Sequence, residues 1–423
     1  KNEEYVELFN PGTNAVDLAG WKLGGDISFT FSQTIAAKGC LVVPRDRDTL
    51  AALYPAQESL MTDSYGGSLD NSRGTVTLSK PVIVMDTDSE AALVADTKNT
   101  VIETVTYRDG GEWSSLADGG GSSLERIDPR TDPSLARSWA ASDESQKGAW
   151  TTLSFTGTID QGFSTTNGDP NAVNVGLMDA GECLVDSVSV STNNGANLVC
   201  NPSFESDTSD WRFMGTHNHS SIETNAAAPD GNRILHVRAT DRCHNGMNII
   251  RGLMSTNLVK TGTGTISVRA RWLAGCPELL VRTRGSWIET CGTILTTRAL
   301  GTPGMANSRA AANAAPALFD VTHDPVLPRN GEAVTVYARA SDPDGVLACT
   351  LHYRIDGYAG SYAVAMRPAA GGRFAGEIPA GQITNTLVAF YVEAVDASGT
   401  NTLARFPAAA PTRECLARYN EPL

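Results

Sequence analysis

Four side chains in the middle of the chain have the makings of a sugar-binding surface: Trp272, Trp287, Arg282 and Arg284, within the stretches VRARWL and ELLVRTRGSWIE. Flat aromatic rings cover the C–H faces of a sugar, and planar polar groups pair with its hydroxyls. The alternative role for Trp272 and Trp287 is a place in a packed interior, where large aromatics also go. Reaction chemistry is scarcer. No G-x-S-x-G, H-E-x-x-H, G-x-G-x-x-G or G-x-x-x-x-G-K occurs. The run DTDSEAALVADT holds Asp86, Asp88 and Glu90 but lacks the glycine of an EF-hand loop. His217, His219 and His244 have no nucleophile or metal ligand at a recognisable spacing, and no C-x-x-C is present. Carboxylate pairs that meet only in space stay open.

Charge removes two partner classes. Lys and Arg number 33 against 47 Asp and Glu, a net charge of −14, so phosphate backbones and anionic lipid surfaces are repelled. No apolar run reaches the roughly 18 residues that a spanning helix needs. Neither nucleic acid nor membrane insertion is expected. Eight cysteines in 423 residues are too few for a disulfide scaffold. Cys40 reads as a buried thiol, and Cys349 with Cys415 as one candidate bridge.

The elements that must position these groups are strands. EYVELFN, GTVTLSK, TISVRARWL, ELLVRTR, AVTVYARA, LHYRID and LVAFYVEAVD alternate polar with apolar residues, and 40 glycines and 20 prolines punctuate them. The expected class is all-β. RDTLAALYP and SEAALVAD, near residues 50–53 and 89–96, are expected to be short turns. The small, Pro-bounded TPGMANSRAAANAAP reads as a linker. Three tandem β-sandwich units follow, spanning 1–144, 145–300 and 316–410, with a linker at 301–315 and a tail at 411–423.

The stretch EEYVELFNPGTNAVDLAGWKL, residues 3–23, with TIAAKGCLVV, VIETVTYRDG and SSLERIDP after it, resembles the lamin-tail domain, an immunoglobulin-like sandwich. Val6 and Leu8 share the core face of its first strand, while Glu4 and Glu7 are expected on a solvated face. The family carries a further strand upstream, where this chain has only Lys1, Asn2 and Glu3. The resemblance therefore implies an open edge in the first unit, a place for self-association by strand addition.

NLVCNPSFESDTSDW, residues 197–211, resembles the opening of a carbohydrate-binding jelly roll, with NPSFE as its first strand. The two segments such modules place last, WTTLSFTGT and DSVSV, come first here, which implies a circular permutation. The resemblance implies glycan binding and a structural Ca2+ held by Asp186, Glu205 and Asn232, with Asx turns as the alternative. Residues 317–407 resemble an immunoglobulin-like or cadherin-like domain, whose corners would bind Ca2+ through Asp342, Asp344 and Asp396, or merely turn the chain.

Together these units resemble the secreted bacterial regions found upstream of spore-coat H-type kinase domains. The expected function is non-catalytic and extracellular: attachment to a glycan or cell-surface polymer. The alternatives are a fibre or surface-layer subunit joined by strand addition, and the targeting region of a larger enzyme.

Overall fold

The computed structural model describes residues 2–421 apart from 88–92, 161–170, 194, 245, 259–261, 285–287, 296, 381–386 and 399–401. Its architecture is all-β. Strand β1 (Tyr5–Phe9) pairs antiparallel with β2 (Cys40–Pro44), setting Val6 opposite Val43 and Leu8 opposite Leu41. These four meet Leu23, Ile27, Phe31 and Ile35 in one core. The ribbon's other face, through Tyr5 and Val42, lies on Leu50, Tyr54 and Met61. The RDTLAALYP stretch forms a seven-residue helix, Arg47–Leu53, where a turn was expected. Asp46 stabilises it as N-cap, accepting a hydrogen bond from the Thr49 N–H at 3.0 Å.

Strands β3 (Arg73–Thr87) and β4 (Leu93–Arg108) form a long antiparallel hairpin. The first half of SEAALVAD lies outside the described residues; its second half opens β4. Only Val76 to Ser79 of β3 pair with the preceding strand, Lys22–Gly25, so past Ser79 the ribbon has no other described strand beside it.

Two five-stranded sheets follow. One has the order β5-β12-β7-β10-β9: β5 (Trp150–Thr158), β7 (Gly181–Thr192), β9 (Ser221–Thr224), β10 (Arg233–Ala239) and β12 (Thr263–Gly275). The other runs β8-β11-β6-β13-β14: β6 (Ala172–Leu177), β8 (Trp211–Met214), β11 (Ile249–Leu253), β13 (Glu278–Thr283) and β14 (Glu289–Thr293). Alternate residues of both, among them Val173, Val175, Val185, Leu235, Val268, Trp272, Leu279 and Val281, close one continuous core between the sheets. Sequence alternation thus decides which side of each strand stays available for a ligand.

NPSFE does not form the expected strand. Asn201 and Phe204 have φ of 48° and 61°, in the left-handed region, and Pro202 has no N–H to give to a ladder. The segment keeps only an isolated bridge, Val199 to Met254, and turns instead.

Towards the C-terminus, β15 (Val346–Ile355), β16 (Leu387–Asp396) and β17 (Cys415–Arg418) belong to one sheet, with a second sheet built on Val334–Ser341 and Arg373–Ile378. Cys349 faces Ala394 of β16, whereas Cys415 faces Phe390 on the strand's other side. The two thiols are therefore two strand spacings, about 10 Å, and a four-residue register step apart, too far for a bridge. All eight cysteines are free in this structure, and the Cys349–Cys415 pairing is corrected.

The segment expected as a linker is stitched to the N-terminal sheets. Glu7 accepts from the Gly304 N–H at 2.7 Å, Glu144 from Gly301 N–H at 3.0 Å, and Glu125 from Ser308 Oγ at 3.0 Å and Arg309 N–H at 2.9 Å. Thr302 Oγ1 also donates to Glu125. Glu7 is thus covered rather than solvated as expected, and burial, with Glu125 nearby, pushes its carboxyl up to about 7. The stretch looks like a linker because its residues are small, but small residues also let backbone N–H groups approach carboxylates closely. Replacing Glu125 with Ala is expected to destabilise the chain by about 3 kcal/mol, because buried donors lose a charged acceptor. Guanidinium unfolding followed by tryptophan fluorescence checks this, and Thr302→Val is expected to cost less.

Candidate ligand-binding face

Antiparallel register lines up a row of polar side chains across the second five-stranded sheet. Arg212 on β8 stands opposite Arg251 on β11, Arg251 opposite Asn174 on β6, Asn174 opposite Arg282 on β13, and Arg282 opposite Glu289 on β14. Directly paired residues point to the same face. That face is the outer one, since Ile250, Val173, Val175 and Val281 occupy the core on the other. Gly252 belongs to the same logic: a Cβ there would lie 2.6 Å from the Trp211 ring, so only glycine lets that ring pack beneath Arg251's strand.

The row is held in place. Arg251 Nε donates to Asn174 Oδ1 at 3.2 Å, and Asn174 is only 1% exposed. Arg282 reaches Glu289 across 3.5 Å with Nη1, while its Nε is buried without a hydrogen-bond partner. Arg284 follows on the same face, where its N–H donates to the Ala172 carbonyl at 2.8 Å, and its side chain is exposed. Burial, and then the neighbouring Arg284 and Arg212 charges, hold the Arg251 guanidinium below its usual value. The arrangement can donate many hydrogen bonds to a ligand and carries net positive charge.

Of the four residues singled out in the sequence, Arg282 and Arg284 share this face. Trp272 does not. It is fully buried between the sheets, with Nε1 donating to the Gly275 carbonyl at 3.0 Å, because its place in the VRARWL alternation puts it inward with Val268 and Ala270. Trp287 lies outside the described residues. Sequence inspection missed Arg212, Arg251 and Asn174, each an isolated polar residue in its own strand. Only the register makes them neighbours.

Cys243 lies beside His217. A Cβ on Gly176 would lie 3.2 Å from both Cys243 Sγ and His217 Nε2. Burial pushes the thiol up to about 11 and the imidazole down to about 4. His217 Nε2 already accepts the Leu177 N–H at 3.0 Å, so it has no lone pair left to take a proton. The pair is a packing contact without an activated nucleophile.

The acidic corners behave differently from each other. Asp186 is fully buried; its oxygens accept the Ser187 N–H at 2.6 Å and the Asp230 N–H at 2.9 Å. Glu205 Oε1 accepts the N–H groups of Asn232 at 3.0 Å and Arg233 at 2.8 Å, so Asn232 contributes backbone here. Burial, opposed by those N–H groups and aided by Asp230 and Glu205, raises the Asp186 carboxyl to about 6. No three acidic, thiol or imidazole groups converge to a metal-holding cluster among the described residues.

At the other corner, Asp396 is saturated by protein donors: Ser398 N–H at 2.9 Å, Ser398 Oγ at 2.7 Å, Asn313 Nδ2 at 2.6 Å and the Thr402 hydroxyl. Burial opposes its ionisation, yet those bonds hold the carboxyl down to about 2. Asp344 is paired with Arg130 at 2.9 Å, and Asp342 Oδ1 accepts the Asp344 N–H at 2.8 Å. A guanidinium and turn donors take the place a Ca2+ would have. Asp342 Oδ2 is buried without a hydrogen-bond partner, and burial, with Asp396 and Asp344 nearby, pushes its carboxyl up.

Residues 1–109 match the family model described as Lamin Tail Domain. No curated protein matches the chain. Among solved structures, a DUF4785 family protein from Legionella pneumophila aligns at 9% identity over 64% of this chain and 62% of its own, with a TM-score of 0.19. The N-terminal eight immunoglobulin domains of Down Syndrome Cell Adhesion Molecule align at 8% identity over 97% of this chain and 67% of theirs, with a TM-score of 0.17. The chain spans less than two thirds of the Legionella protein. At those scores neither alignment carries an argument, and the lamin-tail match stands on its own.

Asp186 gives the site a pH signature. Its folded pKa of about 6 lies above the ordinary carboxylate value, so the folded state holds the extra proton and stability falls as pH rises from about 4 through about 6. Asp186→Asn is expected to abolish that fall. Calorimetric melting temperatures taken in a chelator from pH 4 to 7 should diverge between the two proteins as pH rises, the wild type lower.

Proposed function

We propose that this chain is a non-catalytic, extracellular attachment region, three β-sandwich units in series that hold a glycan on the outer face of the β8-β11-β6-β13-β14 sheet. The observation that carries it is the row of guanidinium groups, Arg212, Arg251 and Arg282, set on one sheet, with the buried Asn174 amide holding Arg251. Such groups, fixed before binding, recognise sugar hydroxyls and substituents without losing much conformational freedom. No helix among the described residues is long and apolar enough to cross a membrane.

Affinity electrophoresis through gels containing soluble polysaccharides tests the reading. Retardation by at least one of a broad panel is expected, and Arg251→Ala should weaken it at least tenfold. Unretarded migration in every gel would reject glycan attachment.

Ca2+ at Asp186, Glu205 and the 230–232 turn is part of the proposal, as a brace rather than a reactant. It is supported by a buried carboxylate whose neighbours are also acidic. Added Ca2+ should raise the melting temperature at pH 7 more than at pH 5, since the ion binds the ionised carboxylate. An equal effect in Asp186→Asn would show that the ion binds elsewhere.

A second reading, self-association, rests on β1, whose one ladder among the described residues is with β2. An edge left open in this way can accept a strand from another copy. Sedimentation velocity across a hundredfold concentration range is expected to show concentration-dependent oligomers. A monomer throughout would rule this out.

A further inference from the structure

The two outer faces of the central sandwich differ in how their charges are grouped. On the β5-β12-β7-β10-β9 sheet, His236 is bound by Glu182 at 2.7 Å and by Glu223 at 3.0 Å, and Arg238 pairs with Glu223 at 2.8 Å. Arg269 and Arg271 of β12, on the same outer face, have no carboxylate partner among the described residues, and Arg271 donates instead to the Gly148 and Ser145 carbonyls. On the other sheet, Arg212, Arg251 and Arg284 pair with no carboxylate among the described residues. Only Arg282 meets one, Glu289, at 3.5 Å. Arg212 and Arg251 are directly opposite each other across the ladder, an arrangement that costs stability when left alone.

A chain of net charge −14 has carboxylates to spare, yet this row of guanidinium groups, two of them directly opposite each other, meets only Glu289 among the described residues. Resting on the glycan-attachment reading, we propose that the face selects anionic glycans, whose sugars bear carboxylate or sulfate groups, over neutral ones. Guanidinium forks match the two or three oxygens of such groups, and the charge-assisted bonds are about twice as strong as those to hydroxyls. Arg212 and Arg282 stand three strand spacings apart, about 14 Å, so a chain lying across the strands meets a cation at each end and Arg251 between them.

Duplex nucleic acid shares the sign but not the density. Its backbone carries one charge per roughly 1.7 Å, and the acidic remainder of the protein repels it. A polymer with at most one charge per sugar meets less of that repulsion.

Isothermal titration of the whole chain tests this with polygalacturonate for carboxylate, dextran sulfate for sulfate, and dextran and xylan as neutral counterparts. The expected result is binding of at least one anionic polymer, weakened at least tenfold by 0.5 M NaCl, with little or none of the neutral pair. The two anionic arms tell carboxylate from sulfate. Arg251→Gln with Arg282→Gln should reduce the anionic affinity at least tenfold, with circular dichroism confirming the fold. Arg212→Gln separates function from structure: it should weaken binding while raising the melting temperature at low salt, because a like-charge contact is relieved. Salt-insensitive binding of the neutral polymers would overturn the selectivity and leave glycan attachment standing. No binding of any polymer would overturn both. Equal affinity for a DNA duplex would overturn the glycan class.

Discussion

Three carboxylates, two of them buried and one half-buried, govern how this chain is held together. Glu7, Glu125 and Glu144 come from the N-terminal sheets, and their oxygens are met by donors from residues 301–308 and the Arg309 N–H. A carboxylate cannot stay inside a protein without such donors, since its desolvation costs several kcal/mol. Lys147 adds a direct charge partner to Glu144 at 2.8 Å. The N-terminal sheets therefore depend on a segment that arrives only after the whole central sandwich has been threaded. Folding of the two regions is coupled across nearly the full sequence between them, although few apolar contacts join them. Tyr54 reinforces the coupling by donating its hydroxyl to the Leu300 carbonyl.

The same segment continues towards the C-terminal sheets by the same means. Ala311 N–H donates to the Ile127 carbonyl at 2.9 Å, and Asn313 Nδ2 to Asp396 at 2.6 Å. Arg130 then bridges Asp128 at 2.7 Å and Asp344 at 2.9 Å. Asp128 is 1% exposed, and the Arg130 bonds, opposing its burial, keep its carboxyl below the usual range. In a corner whose sequence, SDPDG, looks built for a divalent cation, a guanidinium supplies the positive charge. That substitution explains why acidic spacing alone misleads. The motif specifies where negative charge collects, but whether an ion or an arginine answers it is set by a residue some two hundred positions away.

What the sequence made legible follows the same division between local and distant causes. Strand alternation is local, so the all-β class and the inward set Val173, Val175, Val268 and Leu279 could be read directly. The lamin-tail stretch was legible because its turn and tryptophan sit at fixed short spacings, and the family match covers the same region. Trp272 takes the packed-interior role weighed for it, because its period-2 neighbours, Val268 and Ala270, face inward with it. The NPSFE stretch was read as a strand although Pro202 and two left-handed residues turn it. The Arg212, Asn174 and Arg251 row could not be read at all. Strand order β8-β11-β6-β13-β14 brings residues far apart in sequence into adjacent ladders, and no local pattern encodes that order.

The row's usefulness comes from the same non-local register that hides it. Side chains on a loop would lose rotamer freedom on meeting a ligand, whereas here Asn174 is buried and fixes Arg251 before any ligand arrives. Beneath it, Trp211 packs where Gly252 leaves room, so the strand carrying Arg251 is supported from the core side. Like charges on neighbouring ladders would drift apart if the backbone yielded. The continuous core between the two sheets prevents that, and core packing is what keeps an electrostatically unfavourable row in place. Packing of the apolar interior thus holds Arg212 and Arg251 directly opposite each other, a like-charge contact that costs stability on its own.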